Sequence, residues 1–209
     1  MSQAEMVMPG GHGTVAEESP YAIPSRKLAM WLFIMADAAT FGAILFAYGY
    51  LRLASPDWTR PFAFFPSIAN GLLMTVILLT SSLTMLGAVR AATAGRMQSS
   101  QRWLAATMLL GFAFAVLHLR EWFSMFSEGW GLSKNPLGGS TLFGASFFSI
   151  TGLHLLHVVS GVIALAVVAT MYRRGRLHAQ HVETAGLYWH FVDLVWMFVF
   201  PLLYLMNAR

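Results

Sequence analysis

Four charged side chains sit in stretches that are otherwise apolar: Asp37, Arg120, Glu121 and Asp193. Four histidines share such surroundings, His118, His154, His157 and His190. A charge at the centre of a bilayer costs about 2.5–3.5 kcal/mol on insertion scales, so each needs a partner, a water cavity or a proton. Residues of these types can do three kinds of work in a membrane. Carboxylates relay protons. Histidines on facing helices ligate haem. Any of them can staple one helix to the next by hydrogen bonding. His154 and His157, three apart, lie one above the other on one helix face, which suits two haems or a metal better than axial ligation of one haem. Asp37 and Asp193 are two acids rather than a wire. Stapling is therefore the simplest role for all of them. His178 and His181 sit beside Arg173, Arg174 and Arg176. Two ligands are too few for a closed metal site, and a solvated loop is expected there.

The elements that carry these residues are five long apolar runs, near residues 28–51, 66–89, 103–126, 141–172 and 186–207. A bilayer core of about 30 Å needs roughly 20 apolar residues as helix. The fourth run is long for one span and short for two, so one long tilted helix is expected. Composition agrees. Only 11% of the 209 residues are charged and 57% are hydrophobic, against about 25% and 45–50% in soluble domains. That excludes a soluble globule and a disordered chain. The net charge of +4 comes from short basic clusters between apolar runs, so no nucleic-acid partner is expected. Cysteine is absent, which excludes disulfides, iron–sulfur clusters, thiolate copper and covalent c-type haem.

Residues 1–24 contain Glu5, Glu17 and Glu18, no Lys or Arg, and several Gly and Pro. No signal-peptide pattern is present, and residues 1–25 are expected to form a flexible cytoplasmic tail. The five-helix transmembrane domain then covers 26–209. Basic residues set its direction. With the N-terminus inside, Arg26, Lys27, Arg90, Arg96, Arg102, Arg173, Arg174 and Arg176 are inner, and Arg52, Arg60, Lys134 and Arg209 are outer. The expected fold is an all-α membrane bundle of five transmembrane helices, N-terminus cytoplasmic and C-terminus periplasmic. Counting 1.5 Å per residue places Asp37 and Asp193 about 15 Å from the inner edge and Glu121 about 27 Å from it. Two polar levels follow: Asp37, His190 and Asp193 with His157 towards the inside, and Arg120, Glu121 and His154 towards the outside. Trp and Tyr near span ends, including Trp31, Trp103, Trp189 and Tyr204, are expected to form interfacial belts, while Trp196 packs inside. The small residues Ala145, Ser149, Gly152, Ser160 and Gly161 suggest a close helix contact on span four.

Two segments carry a more specific pattern. Thr151-Gly152-Leu153-His154-Leu155-Leu156-His157-Val158 and Tyr188-Trp189-His190-Phe191-Val192-Asp193-Leu194-Val195-Trp196 resemble the signatures of haem–copper terminal oxidase subunit III on its last two spans. Trp31–Asp37 is similar to that family's first-span acidic motif, with Asp where many members have Glu. Glu121 before Trp122 matches its Glu-Tyr position, and Glu183 matches an acid before the last span. The resemblance covers about residues 25–207 and is to the short, five-helix bacterial form.

The resemblance implies a non-catalytic core subunit of a bacterial cytochrome c oxidase in the plasma membrane, serving aerobic electron transport with O₂ reduction and proton pumping by the complex. It implies no cofactor in this chain. Haem and copper would reside in partner subunits, subunit I would be the main contact and subunit II a further one, and phospholipid would be bound. Asp37, Arg120, Glu121, His154, His157, Glu183, His190 and Asp193 would form a polar network supporting structure, lipid binding or proton uptake. Further respiratory subunits are possible neighbours. Subunit III of a quinol oxidase and the accessory subunit of a nitric oxide reductase are alternatives within reach of the same motifs. A stand-alone b-type haem protein and a small transporter are the rivals from other classes.

Overall fold

A computed structural model of the chain describes residues 25–208. The expected tail lies outside the described residues except for Ser25, and so does Arg209. Five helices are long and apolar enough to cross a membrane. They are α1 (Ser25–Ala54), α2 (Ala69–Thr93, entered through a wide turn at Phe64–Ile68), α3 (Met97–Ser127), α4 (Leu142–Arg173) and α5 (Ala179–Leu203), with a last 3₁₀ turn at Leu205–Asn207. The fourth run is one helix of 32 residues, about 48 Å long at 1.5 Å per residue. Helix α3 starts six residues before its expected boundary and α5 seven residues before, because polar residues continue both helices beyond the apolar stretch.

The turn after α2 and the turn after α4 are built alike. Gly95 and Gly175 adopt φ of 70° and 68°, a left-handed conformation that favours glycine. In each turn the glycine N–H and the next N–H reach back to helix carbonyls: Gly95 to Ala92 and Arg96 to Ala91, Gly175 to Tyr172 and Arg176 to Met171. This closes the helix end and reverses the chain within a few residues. Both turns lie at the end where α1 begins, called proximal below.

Helices α2, α3, α4 and α5 close into a four-helix bundle, each packed on the next, and α1 leans on α4 and α5 from outside. Glycine permits the closest approaches. A side chain at Gly111 or Gly161 would meet the indole of Trp189, which is wedged between α3 and α4. Gly152 lies against Trp122 of α3, so the small residues of α4 serve two neighbours rather than one, and Ser149 and Ser160 are exposed. Trp189, Tyr204, Trp130 and Tyr172 are buried. Of the residues expected in an interfacial belt, Trp31 and Trp103 are exposed, whereas Trp189 and Tyr204 belong to the core: Gly111 and Gly161 open space for the Trp189 indole, and Tyr204 packs among Phe62, Phe147 and Phe200.

The distal end is plugged by aromatic side chains from the first loop. Phe62 stacks on Tyr204 with centroids 4.9 Å apart, and Trp58 meets Tyr48 and Phe143 edge-on. Asn207 holds this end together. Its amide donates to Leu203 O at 2.8 Å and to Tyr48 Oη at 2.6 Å, and its Oδ1 accepts from Trp58 Nε1 at 2.8 Å.

Candidate functional site

The polar side chains inside the spans form separate clusters. Helix α1 brings Asp37 to α4, where Oδ2 lies 3.4 Å from His157 Nε2. His157 Nδ1 donates to Leu153 O at 2.7 Å, so its other nitrogen is the one left for Asp37, and a hydrogen bond there requires a proton between them. Tyr188 of α5 donates to His157 O at 3.3 Å and shares a 3.1 Å hydroxyl contact with Ser160. Asp37 and His157 were expected at a common level and do meet. His190 and Asp193, placed in the same group by depth, do not join them. They face α2, where His190 Nδ1 lies 2.6 Å from Ser82 Oγ and both Asp193 oxygens are buried without a partner.

At the proximal end, Lys27 Nζ binds Glu183 Oε1 at 2.7 Å and Arg26 Nη1 meets His181 Nε2 at 2.5 Å. Both contacts fix the start of α1 to the start of α5. Lys27 and Glu183 are each partly exposed, and a pair in such a setting contributes little by itself. Its value is positional. His178 and His181 have ring centroids 6.4 Å apart, and His181 is engaged by Arg26.

At the distal end Glu121 is 7% exposed. Its Oε2 accepts from Asn70 Nδ2 at 3.0 Å and from Tyr204 Oη at 3.2 Å, tying α3 to α2 and to the end of α5. The expected partner, His154, is elsewhere. His154 and His118 are buried inside the bundle with no hydrogen-bond partner. Phe114 and Trp196 lie against both imidazoles, at centroid distances of 5.2–5.8 Å, and the space a macrocycle would need beside them is occupied by these rings. Arg120 is exposed and lines an open cavity of about 230 Å³ with Glu121, Asn70, Ser124 and Glu128. Among the described residues, no group of three or more His, Cys, Asp or Glu side chains converges as a metal site would.

Sequence reasoning passed over Asn70, Ser82 and Asn207, and it placed Tyr204 in a belt. None of the four carries a charge, so a search for ionisable residues in apolar runs does not find them. An Asn within an apolar run, as at Asn70, is the one signal that was available.

The two patterned segments lie side by side on α4 and α5. Thr151 Oγ1 accepts from Trp122 Nε1 at 3.1 Å, and His154 stacks on Trp196. Comparison with known proteins places this arrangement. The family described as cytochrome c oxidase subunit III matches residues 13–208. The chain belongs to the cytochrome c oxidase subunit III family. It is 34% identical over 185 residues to the cytochrome bo(3) ubiquinol oxidase subunit 3 of Pseudomonas aeruginosa, covering 85% of this chain and 83% of that one. It is 31% identical over 188 residues to the cytochrome c oxidase subunit 3 of Alkalihalophilus pseudofirmus, covering 88% of each. A haem–copper oxidase subunit I+III of Aeropyrum pernix is 29% identical over 199 residues, which are 90% of this chain and 24% of that longer protein. In this multi-pass membrane subunit III of the haem–copper oxidases, several intramembrane polar groups join its own helices: α1 to α4 through Asp37 and His157, α2 to α5 through Ser82 and His190, and α3 to α2 and α5 through Glu121.

Proposed function

We propose that this chain is the non-catalytic subunit III of a bacterial cytochrome c oxidase. It lies in the plasma membrane with its N-terminus cytoplasmic and C-terminus periplasmic, packed mainly against subunit I and also near subunit II. The observation that carries this is the family match over residues 13–208, joined to a bundle whose buried histidines are enclosed by aromatic rings rather than opened to a cofactor. The fusion of subunits I and III in the Aeropyrum pernix relative supports the contact with subunit I. Haem and copper belong to the partners. This chain's task is to brace the catalytic subunit, to bind phospholipid, and to support proton uptake and durability in turnover. Asp37, Arg120, Glu121, His154, His157, Glu183, His190 and Asp193 serve as its polar framework.

Affinity purification of the tagged chain from its native membrane tests the assembly. A haem–copper catalytic subunit should co-purify, and the chain expressed alone should give no haem band in a reduced-minus-oxidised spectrum. A haem band from the isolated chain overturns the reading. Asp37→Asn should leave assembly intact and shorten the working life of the oxidase during continuous turnover. Unchanged inactivation refutes the role given to Asp37. A quinol oxidase is the second reading, favoured by the 34% identity to the bo(3) ubiquinol subunit. A co-purifying subunit with a dinuclear copper site selects cytochrome c as donor, and one without it selects quinol.

A further inference from the structure

Arg26 and Lys27 begin α1, and each faces a side chain in the first turns of α5. The two contacts differ in kind. Lys27 meets a carboxylate, Glu183, as one charge meets its opposite. Arg26 meets an imidazole, and a guanidinium only donates. That contact therefore needs a lone pair on His181 Nε2, which exists only when the ring is neutral with its proton on Nδ1.

Nδ1 has its own neighbours. The His178 N–H points at it from 3.2 Å, and His178 O lies 3.3 Å away. With the proton on Nδ1, the ring donates to His178 O and accepts from Arg26. With the proton on Nε2, Nδ1 accepts from the His178 N–H and caps α5, and Arg26 loses its acceptor. A neutral ring thus has one lone pair for two donors. A charged ring has none, and stands against Arg26 as cation against cation. Arg26 and His181 also border an apolar cavity of about 230 Å³ between α1, α4 and α5. Helix α4 gives it Gly161, Ala164, Leu165 and Val168, none ionisable, and α5 adds Tyr188. The other charged or titratable groups nearby are Lys27, His178, Glu183 and the exposed Arg173, Arg174 and Arg176. Glu183, the one carboxylate at this end among the described residues, is engaged by Lys27.

We propose that His181 is a proton-sensitive latch: neutral, it holds the first turn of α1 against α5; protonated, it releases Arg26 and opens the cavity between α1, α4 and α5 at its proximal end. Imidazole is the side chain whose charge ordinarily changes between about pH 5 and 8, so the latch works in the range a cell meets. Its sign follows from the lone pair. The tie is present where the ring is neutral and is lost as pH falls. Lys27–Glu183 does not pass through the imidazole and keeps α1 in register while the Arg26 side of the helix loosens. The latch goes beyond the reading of the chain as subunit III and does not depend on it.

The test uses the tagged chain purified from its native membrane with its partners. Hydrogen-exchange mass spectrometry is run near pH 8 and near pH 6, with rates corrected for the intrinsic effect of pH. The amides of residues 29–34 are the first that α1 itself can protect. Their protection should fall severalfold from the higher pH to the lower, while that of residues 109–123 stays level. In His181→Gln, whose amide does not titrate, protection of 29–34 should be equal at both pH values, whether or not the Gln carbonyl accepts from Arg26. Glu183→Gln and His178→Gln should keep the native response. Level protection of 29–34 in the native chain overturns the proposal. So does a native-sized response in His181→Gln, or its loss in Glu183→Gln or His178→Gln, since the proton would then act at another group.

Discussion

At the scale of single residues, Glu121 shows how a carboxyl group is made tolerable at membrane depth. Asn70 and Tyr204 both donate to one of its oxygens. Replacing it with Ala strands two buried donors, each costing about 1–3 kcal/mol when unsatisfied. Glu121→Ala should therefore lower the thermal midpoint of the purified subunit clearly more than Glu121→Gln, which keeps an acceptor. Equal losses would deny the amide and phenol their role. Asp37 and His157 allow a complementary measurement. A double-mutant cycle of Asp37→Asn and His157→Leu should return a coupling of about 0.6 kcal/mol, the mean for side-chain pairs inside membranes. A cycle closing at zero would show the 3.4 Å approach to be unused. The sequence revealed which residues needed partners, because charge in an apolar run is visible without coordinates. It revealed partners poorly. Depth along a helix follows from the rise per residue, but rotation about the helix axis does not, and so Glu121 was matched to His154 by height while the bundle turns them towards different neighbours.

At the scale of helices, the five spans were legible because a bilayer imposes a minimum apolar length, and the fourth run was correctly one helix. The boundaries of α3 and α5 were not, since hydropathy marks where lipid begins and not where hydrogen bonding stops. Nor was the plug of Trp58 and Phe62, whose rings come from a segment rich in turn residues. Packing between helices has its own test. A Cβ at Gly111 would sit 2.5 Å from Trp189 and 2.9 Å from Val162, whereas one at Gly42 meets nothing within 4 Å. Gly111→Ala should destabilise the bundle by about 1–3 kcal/mol, as overpacking does. Gly42→Ala should be neutral or stabilising by up to about 1 kcal/mol through helix propensity. Denaturant melts of both variants in detergent check the contrast, and a harmless Gly111→Ala would mean that α3 and α5 are less closely fitted than the indole contact requires.

At the scale of the molecule, α1 stands apart from the four-helix bundle. Its buried side chains are Ile34, Phe41 and Tyr48, one every second turn, a single narrow seam. Polar ties supplement the seam at three depths: Lys27–Glu183 with Arg26–His181, then Asp37–His157, then Tyr48 to Leu202 O at 3.0 Å and Arg52 to Met206 O at 2.5 Å. Removing the proximal tie with Lys27→Ala and Arg26→Ala together should speed amide exchange in the first turns of α1 and leave α3 unchanged, as hydrogen-exchange mass spectrometry would read. The arrangement also sets an order of events during synthesis. Every polar partner of α1 is encoded far downstream, Glu183 lying 156 residues after Lys27. At roughly 5–20 residues per second of translation, α1 waits on the order of ten seconds or more for its mates. For most of that interval Asp37 has no His157, and every residue that ties α1 to the bundle is made after α1 itself. Whatever shelters the nascent α1 must hold an alanine-rich helix with one unpaired acid, Asp37, until α5 emerges, and then release it.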